Sequence, residues 1–193
     1  MMKRTVLAIF ISSSSLVGCI TTPSISAEHR PPHWGKVIDQ PDNFYQISEH
    51  VFRSEQPDAE LIPQLKTQHI DTVINLRSRN ADLAVLPSTD FQLIHIPIDT
   101  WAMNRDDLLQ VMQHIQQAQK LNQKVLIHCY HGSDRTGASV AMYRIIFENW
   151  PTEDALNEMK YGGYGFHPVW MNIEKIFSPE NIKWIRQQLS NPS

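Results

Sequence analysis

The run from Lys124 to Gly137 limits this chain more than any other stretch. Lys124 to His128 carries Val-Leu-Ile in its middle, the composition of a buried strand. Ala138 to Asn149 is almost wholly apolar over a length that only a core helix accommodates. Between them lies His128-Cys129-Tyr130-His131-Gly132-Ser133-Asp134-Arg135-Thr136-Gly137, with Gly132 and Gly137 bracketing a turn. A core strand that feeds a core helix through a short loop is the building unit of a parallel-stranded α/β domain. Ligands of such sheets sit beyond the carboxyl ends of the strands, where this loop falls.

The rest of the chain fits that plan. Phe44 to Ser48 and Val51 to Ser54 read as a short antiparallel pair split by Glu49-His50. Asp58 to Gln68 is helical in pattern, capped by Asp58. Thr72 to Leu76 and Phe91 to Ile96 are further strands, and Asp106 to Leu121 is an amphipathic helix. Another helix runs from Thr152 through Lys160 and is broken by Gly162-Gly163-Tyr164-Gly165. Met171 to Leu189 supplies a last helical stretch, interrupted near Ser178-Pro179. The expectation is one α/β domain over residues 43–193, with a central, mostly parallel sheet flanked by helices. Residues 20–42 hold Pro23, Pro31, Pro32 and Pro41 among polar residues and read as a flexible tether.

The chemistry of the loop follows from its residue types. Successive backbone N–H groups can converge on an anion, and the following helix adds the positive end of its dipole. The same field favours a thiolate over a thiol at a helix N-terminus. Arg135 offers a planar fork that fits two phosphoryl oxygens. Gly132 lets the backbone approach closely. The Thr136 hydroxyl is expected to hydrogen-bond the Cys129 sulfur, and Gly137 to permit tight helix–strand packing. Tyr130, His131, Gly132, Ser133, Asp134, Arg135 and Thr136 together form the expected phosphate cradle, supported by His128.

The segment matches the His-Cys-x5-Arg-Thr-Gly signature and resembles that of protein tyrosine and dual-specificity phosphatases. Three further stretches resemble bacterial exported members of the dual-specificity group: Val51-Phe52-Arg53-Ser54-Glu55-Gln56-Pro57, Thr72-Val73-Ile74-Asn75-Leu76-Arg77 and Ala141-Met142-Tyr143-Arg144. The resemblance spans Phe44 to Phe177. It implies that the Cys129 thiolate attacks phosphorus to give a phosphocysteine, with neither metal nor cofactor. It also implies a carboxylic acid about thirty residues before the cysteine that first donates and then accepts a proton. Asp99 stands at that spacing. Asp106 and Asp107 are alternatives, with capping of the next helix as their plainer role. Asp134, beside Arg135, resembles a loop aspartate of some phosphoinositide phosphatases; orienting Arg77, Arg135 or backbone amides is its plainer role. Arg77 is expected in an ion pair, with a second phosphate contact as the alternative, and Trp101 either walls the cleft or packs. The implied substrate is phosphotyrosine on a protein, with phosphoserine and phosphothreonine as extensions. An inositol phosphate or phosphoinositide is the rival substrate, and a pseudophosphatase that only binds phosphorylated partners is the rival class.

A formal charge of −3 opposes nucleic-acid binding, which calls for a basic field. Residues 1–19 read as a bacterial export signal: Lys3 and Arg4, then the apolar run Thr5 to Ile11, then Leu16-Val17-Gly18-Cys19. That tetrad resembles the lipobox of bacterial lipoproteins, which implies lipidation of Cys19 and a membrane anchor facing the periplasm, on the outer membrane. An ordinary secretory signal is the alternative. Of two cysteines, only Cys129 would then remain as a free thiol, which is unusual in an exported protein unless the thiol is used.

Overall fold

The structure, a computed structural model, describes residues 20–190. Its centre is a six-stranded mixed sheet in the order β1-β2-β3-β6-β4-β5. The strands are β1 (Lys36–Asp39), β2 (Phe44–Gln46), β3 (Val51–Ser54), β4 (Thr72–Asn75), β5 (Gln92–His95) and β6 (Val125–His128). β1, β2 and β3 are antiparallel neighbours, whereas β3, β6, β4 and β5 run parallel. The sheet is therefore mixed, with its parallel half carrying the loop.

Alternation along the strands sorts the two faces. Phe52, Val73 and Leu126 pack with Leu61, Leu65 and Phe91 on one side, beneath the short helix α1 (Ile62–Thr67). Val51, Ile74, Val125 and Ile127 face the other side. There they meet α2 (Arg105–Lys120) and α3 (Asp134–Phe147). α4 (Thr152–Tyr161), α5 (Met171–Lys175) and α6 (Pro179–Ser190) complete that layer. The break expected at Ser178-Pro179 separates α5 from α6. Helix α2 starts on a capping box, in which Asn104 and Asp107 each accept the other end's backbone N–H. Asp58 accepts from the amides of Glu60 and Leu61 just ahead of α1.

The stretch expected as a tether is instead folded onto the domain. The Thr22 amide donates to Phe166 O at 2.8 Å and the Ile25 amide to Tyr161 O at 2.9 Å. Trp34 is buried, and Lys36–Asp39 is the edge strand β1. Arg30 fastens this segment: it donates to Gly162 O, Gly35 O and Tyr164 Oη. Its guanidinium also lies over the rings of Trp34, Tyr45 and Tyr164. Single cationic and aromatic anchors of this kind leave no periodic trace in a proline-rich sequence. Residues 1–19, including Cys19, lie outside the described residues.

Candidate active site

β6 ends at His128, and α3 begins at Asp134, earlier than the apolar pattern suggests. The loop between them is held from outside by its carbonyls. Cys129 O meets His128 Nδ1 at 3.1 Å, and Tyr130 O accepts from the Gln56 amide at 3.0 Å. His131 O accepts from Asn43 Nδ2 at 2.9 Å, and Gly132 O from Arg53 Nη2. With these carbonyls engaged outward, the amides of residues 130–135 donate to no protein acceptor among the described residues. A run of free amides at the start of a fourteen-residue helix is an anion cradle. Gly132 adopts φ 68°, and a Cβ there would lie 2.5 Å from Ser54 O. Only glycine lets the loop rest this closely on the end of β3.

Cys129 sits at the foot of the loop, 3% exposed, on the α3 face of the sheet. Arg135 is pinned by two carbonyls: its Nη1 donates to Leu76 O at 3.2 Å and to Ile98 O at 3.0 Å. Those carbonyls lie just past β4 and β5, so the arginine ties three strand ends together. Asp99 follows Ile98 directly, is exposed and precedes a single 3₁₀ turn over Thr100–Ala102. The contact to Ile98 O thus brings the segment bearing Asp99 to the loop bearing Arg135. A cleft of about 770 Å³ opens over this region, lined by Tyr130, His131, Asp134, Arg135 and His167, with Thr100 on the facing wall. Ile20, Val169 and Trp170 add an apolar rim. Trp101 is 67% exposed beside Thr100, so it is not packing.

Several expected contacts are replaced by others. The Thr136 hydroxyl is buried without a hydrogen-bond partner among the described residues, so it does not bond the sulfur. Among the described residues Arg77 makes no ion pair; it donates to Gln56 Oε1 at 2.8 Å and lies over the Tyr130 ring, at 4.8 Å. Asp134 holds neither Arg77 nor Arg135; it accepts from the His167 amide and meets the His167 ring. Asp107 is committed to the α2 cap. Gly137 packs against Met159 of α4, where a Cβ would meet the side chain at 3.1 Å.

His128 braces the loop through a residue the sequence did not single out. Its Nε2 meets Asp82 Oδ2 at 2.9 Å, and both side chains are buried. Burial alone would raise the Asp82 carboxyl. The hydrogen bond and charge of His128, with the amides of Gln56 and Asn75, overcome this and hold it below the usual carboxylate range. His128 and His131 do not converge on Cys129: one faces Asp82, and the other lies edge-on to Tyr130.

The family model for the dual specificity phosphatase catalytic domain matches residues 51–176. The chain belongs to this family. As a dual specificity phosphatase it is a cysteine-dependent phosphoric monoester hydrolase, and the matched stretch runs from β3 to the end of α5. Dual specificity protein phosphatase TpbA of Pseudomonas aeruginosa is 31% identical over 166 residues, 86% of this chain and 75% of that protein. The crystal structure of a TpbA variant in complex with pTyr aligns with a TM-score of 0.76 at 28% identity, covering 84% of this chain and 99% of that one. Inositol diphosphatase DSP5 of Arabidopsis thaliana is 27% identical over 132 residues, 64% of this chain and 63% of that protein.

Proposed function

We propose that this dual specificity phosphatase hydrolyses phosphotyrosine on proteins, with Cys129 as nucleophile, Arg135 as the phosphoryl clamp and Asp99 as the proton carrier. The amides of residues 130–135 and the Arg135 fork hold the phosphoryl oxygens. The Cys129 thiolate forms a bond to phosphorus as the ester P–O bond breaks, and Asp99 gives its proton to the departing oxygen. Water then attacks the phosphocysteine, its proton passes to Asp99, and phosphate leaves with the thiolate restored. The observation that carries this reading is the loop itself, whose carbonyls are drawn outward onto His128, Gln56, Asn43 and Arg53. The pTyr bound in the TpbA structure supports the choice of substrate.

Cys129→Ser should abolish turnover of phosphotyrosine peptides while still binding them, and residual turnover would remove Cys129 from its role. Comparison of phosphotyrosine, phosphoserine and phosphothreonine peptides with inositol phosphates tests the substrate. Strong preference for the inositol phosphates would overturn it in favour of the activity named for the Arabidopsis relative.

Export and a lipid anchor at Cys19 belong to the same proposal, supported by Lys3, Arg4 and the Leu16-Val17-Gly18-Cys19 tetrad. Ile20 lines the cleft, so an anchor on the preceding residue would hold the catalytic mouth beside the periplasmic membrane surface. Cys19→Ser should move the protein from the membrane fraction to the soluble one; unchanged fractionation would refute the anchor.

A further inference from the structure

Arg53 is the largest fully buried side chain of the domain, at 0% exposure on the central strand β3. A charge so placed normally has a carboxylate partner, because burying an unpaired ion is costly. Among the described residues Arg53 makes no ion pair, and its Nε and Nη1 have no hydrogen-bond partner. The carboxylate whose charge acts on it, Glu158, is already shared among Arg144, the Gly35 amide and Tyr164 Oη. What Arg53 does touch is the loop: Nη2 donates to Gly132 O, and the guanidinium lies 3.6 Å from the centre of the Tyr164 ring.

The register explains where the charge points. Arg53 is level with Ile127 in the parallel pairing of β3 and β6. Cys129 lies two residues beyond Ile127, in the same core cluster and therefore on the same face of the sheet. Burial pushes the guanidinium pKa down, and the nearby Tyr164, Glu158 and Cys129 oppose that push.

We infer that Arg53 is a positioning residue whose missing counter-ion is the anion of the loop, first the Cys129 thiolate and then the bound phosphoryl group. Arg135 grips the phosphoryl group from the cleft, whereas Arg53 acts from beneath the loop, on the same face of the sheet, without touching substrate. The same side chain turns Gly132 O away from the cradle.

The inference rests on Cys129 bearing the reactive thiolate, so its test reads the thiol and not turnover. Alkylation of Cys129 by iodoacetamide is measured at pH 6 and pH 9 in wild type, Arg53→Met, Arg53→Gln and Arg53→Lys, with thermal melting of each. Orthovanadate inhibition is measured in parallel. Loss of the charge should slow alkylation at pH 6 by about tenfold and leave it unchanged at pH 9, where a lost packing role would act equally. Vanadate should bind more weakly by a similar factor, and Arg53→Lys should stay near wild type. Arg53→Gln keeps a donor for Gly132 O, so a folded Arg53→Gln chain with wild-type alkylation and inhibition would overturn the inference. If neither uncharged variant folds, Arg53→Lys decides: wild-type alkylation at pH 6 supports the charge role and slowed alkylation overturns it. A wild-type chain inert at pH 6 would instead sink the underlying assignment of Cys129.

Discussion

Asp134 grips His167 twice: one carboxylate oxygen accepts the backbone N–H and the other meets ring Nδ1, each at 2.9 Å. Both residues line the cleft, so this pair joins the start of α3 to the rim loop that follows α4. With both oxygens engaged, Asp134 is poorly placed to pass a proton, whereas Asp99 is exposed next to Thr100 of the cleft lining. Asp99→Asn should lower kcat by roughly 10²–10⁴ for aryl phosphates of high leaving-group pKa and by far less for activated ones. Asp134→Asn should raise KM as the rim loosens, without that leaving-group dependence. A series of substituted phenyl phosphates measures both; if the dependence follows Asp134 instead, Asp99 is not the acid.

The tight seat of Gly132 on β3 makes a second prediction. Gly132→Ala must leave φ 68° or push a methyl group against Ser54 O, so the loop shifts. The expected cost is about 1–3 kcal/mol of stability. Displacement of the cradle amides should lower kcat/KM by about 100-fold. Urea unfolding and steady-state kinetics on the same preparation check both, and an alanine variant of native activity would contradict the geometry.

The buried Asp82–His128 pair gives the fold an acid-sensitive brace. The Asp82 carboxyl lies below its ordinary value of 3.8 in the folded chain. The unfolded chain therefore takes up this proton first as the pH falls. Its contribution is complete above about pH 4 and is lost as the pH drops further through the folded value. Asp82→Asn should flatten the loss of unfolding free energy as the pH falls below about 4. An unchanged slope would show that other carboxylates govern acid unfolding.

Arg144 and Glu158 form a buried ion pair at 2.8 Å that also reaches Ile47 O, the Gly35 amide and Tyr164 Oη. Removing one partner strands the other in the core. Glu158→Gln should therefore cost about 3–5 kcal/mol. Thermal melting of the variant measures this, and a shift of only a degree or two would mean the pair is dispensable.

The strand–loop–helix unit, the parallel strands and the order of the helices were legible because apolar periodicity and the Cys129–Arg135 spacing are local signals, whereas the starts of α1 and α3 differ from the pattern by four residues. The choice of Asp99 as the acid came only through family resemblance; the structure brings its neighbour Ile98 O to Arg135. What escaped depends on contacts between distant segments. Asp82 belongs to an irregular stretch with no pattern, yet it meets His128 across the sheet. Arg53 stood in a quoted motif, but its burial follows from strand pairing and not from its neighbours in sequence. The expected pairing of Arg77 failed because Gln56 and Tyr130 come to it from two other loops.

The clasp formed by Arg30 matters for anyone isolating the catalytic unit. A chain begun at residue 43, where the recognisable pattern starts, would lack β1, Trp34 and the cation seated on Tyr45 and Tyr164. Tyr164 is the ring on which Arg53 rests. Trimming the amino-terminal segment would thus loosen the floor of the active site from behind, and a shortened enzyme with poor activity would report a damaged foundation and not a missing catalytic group.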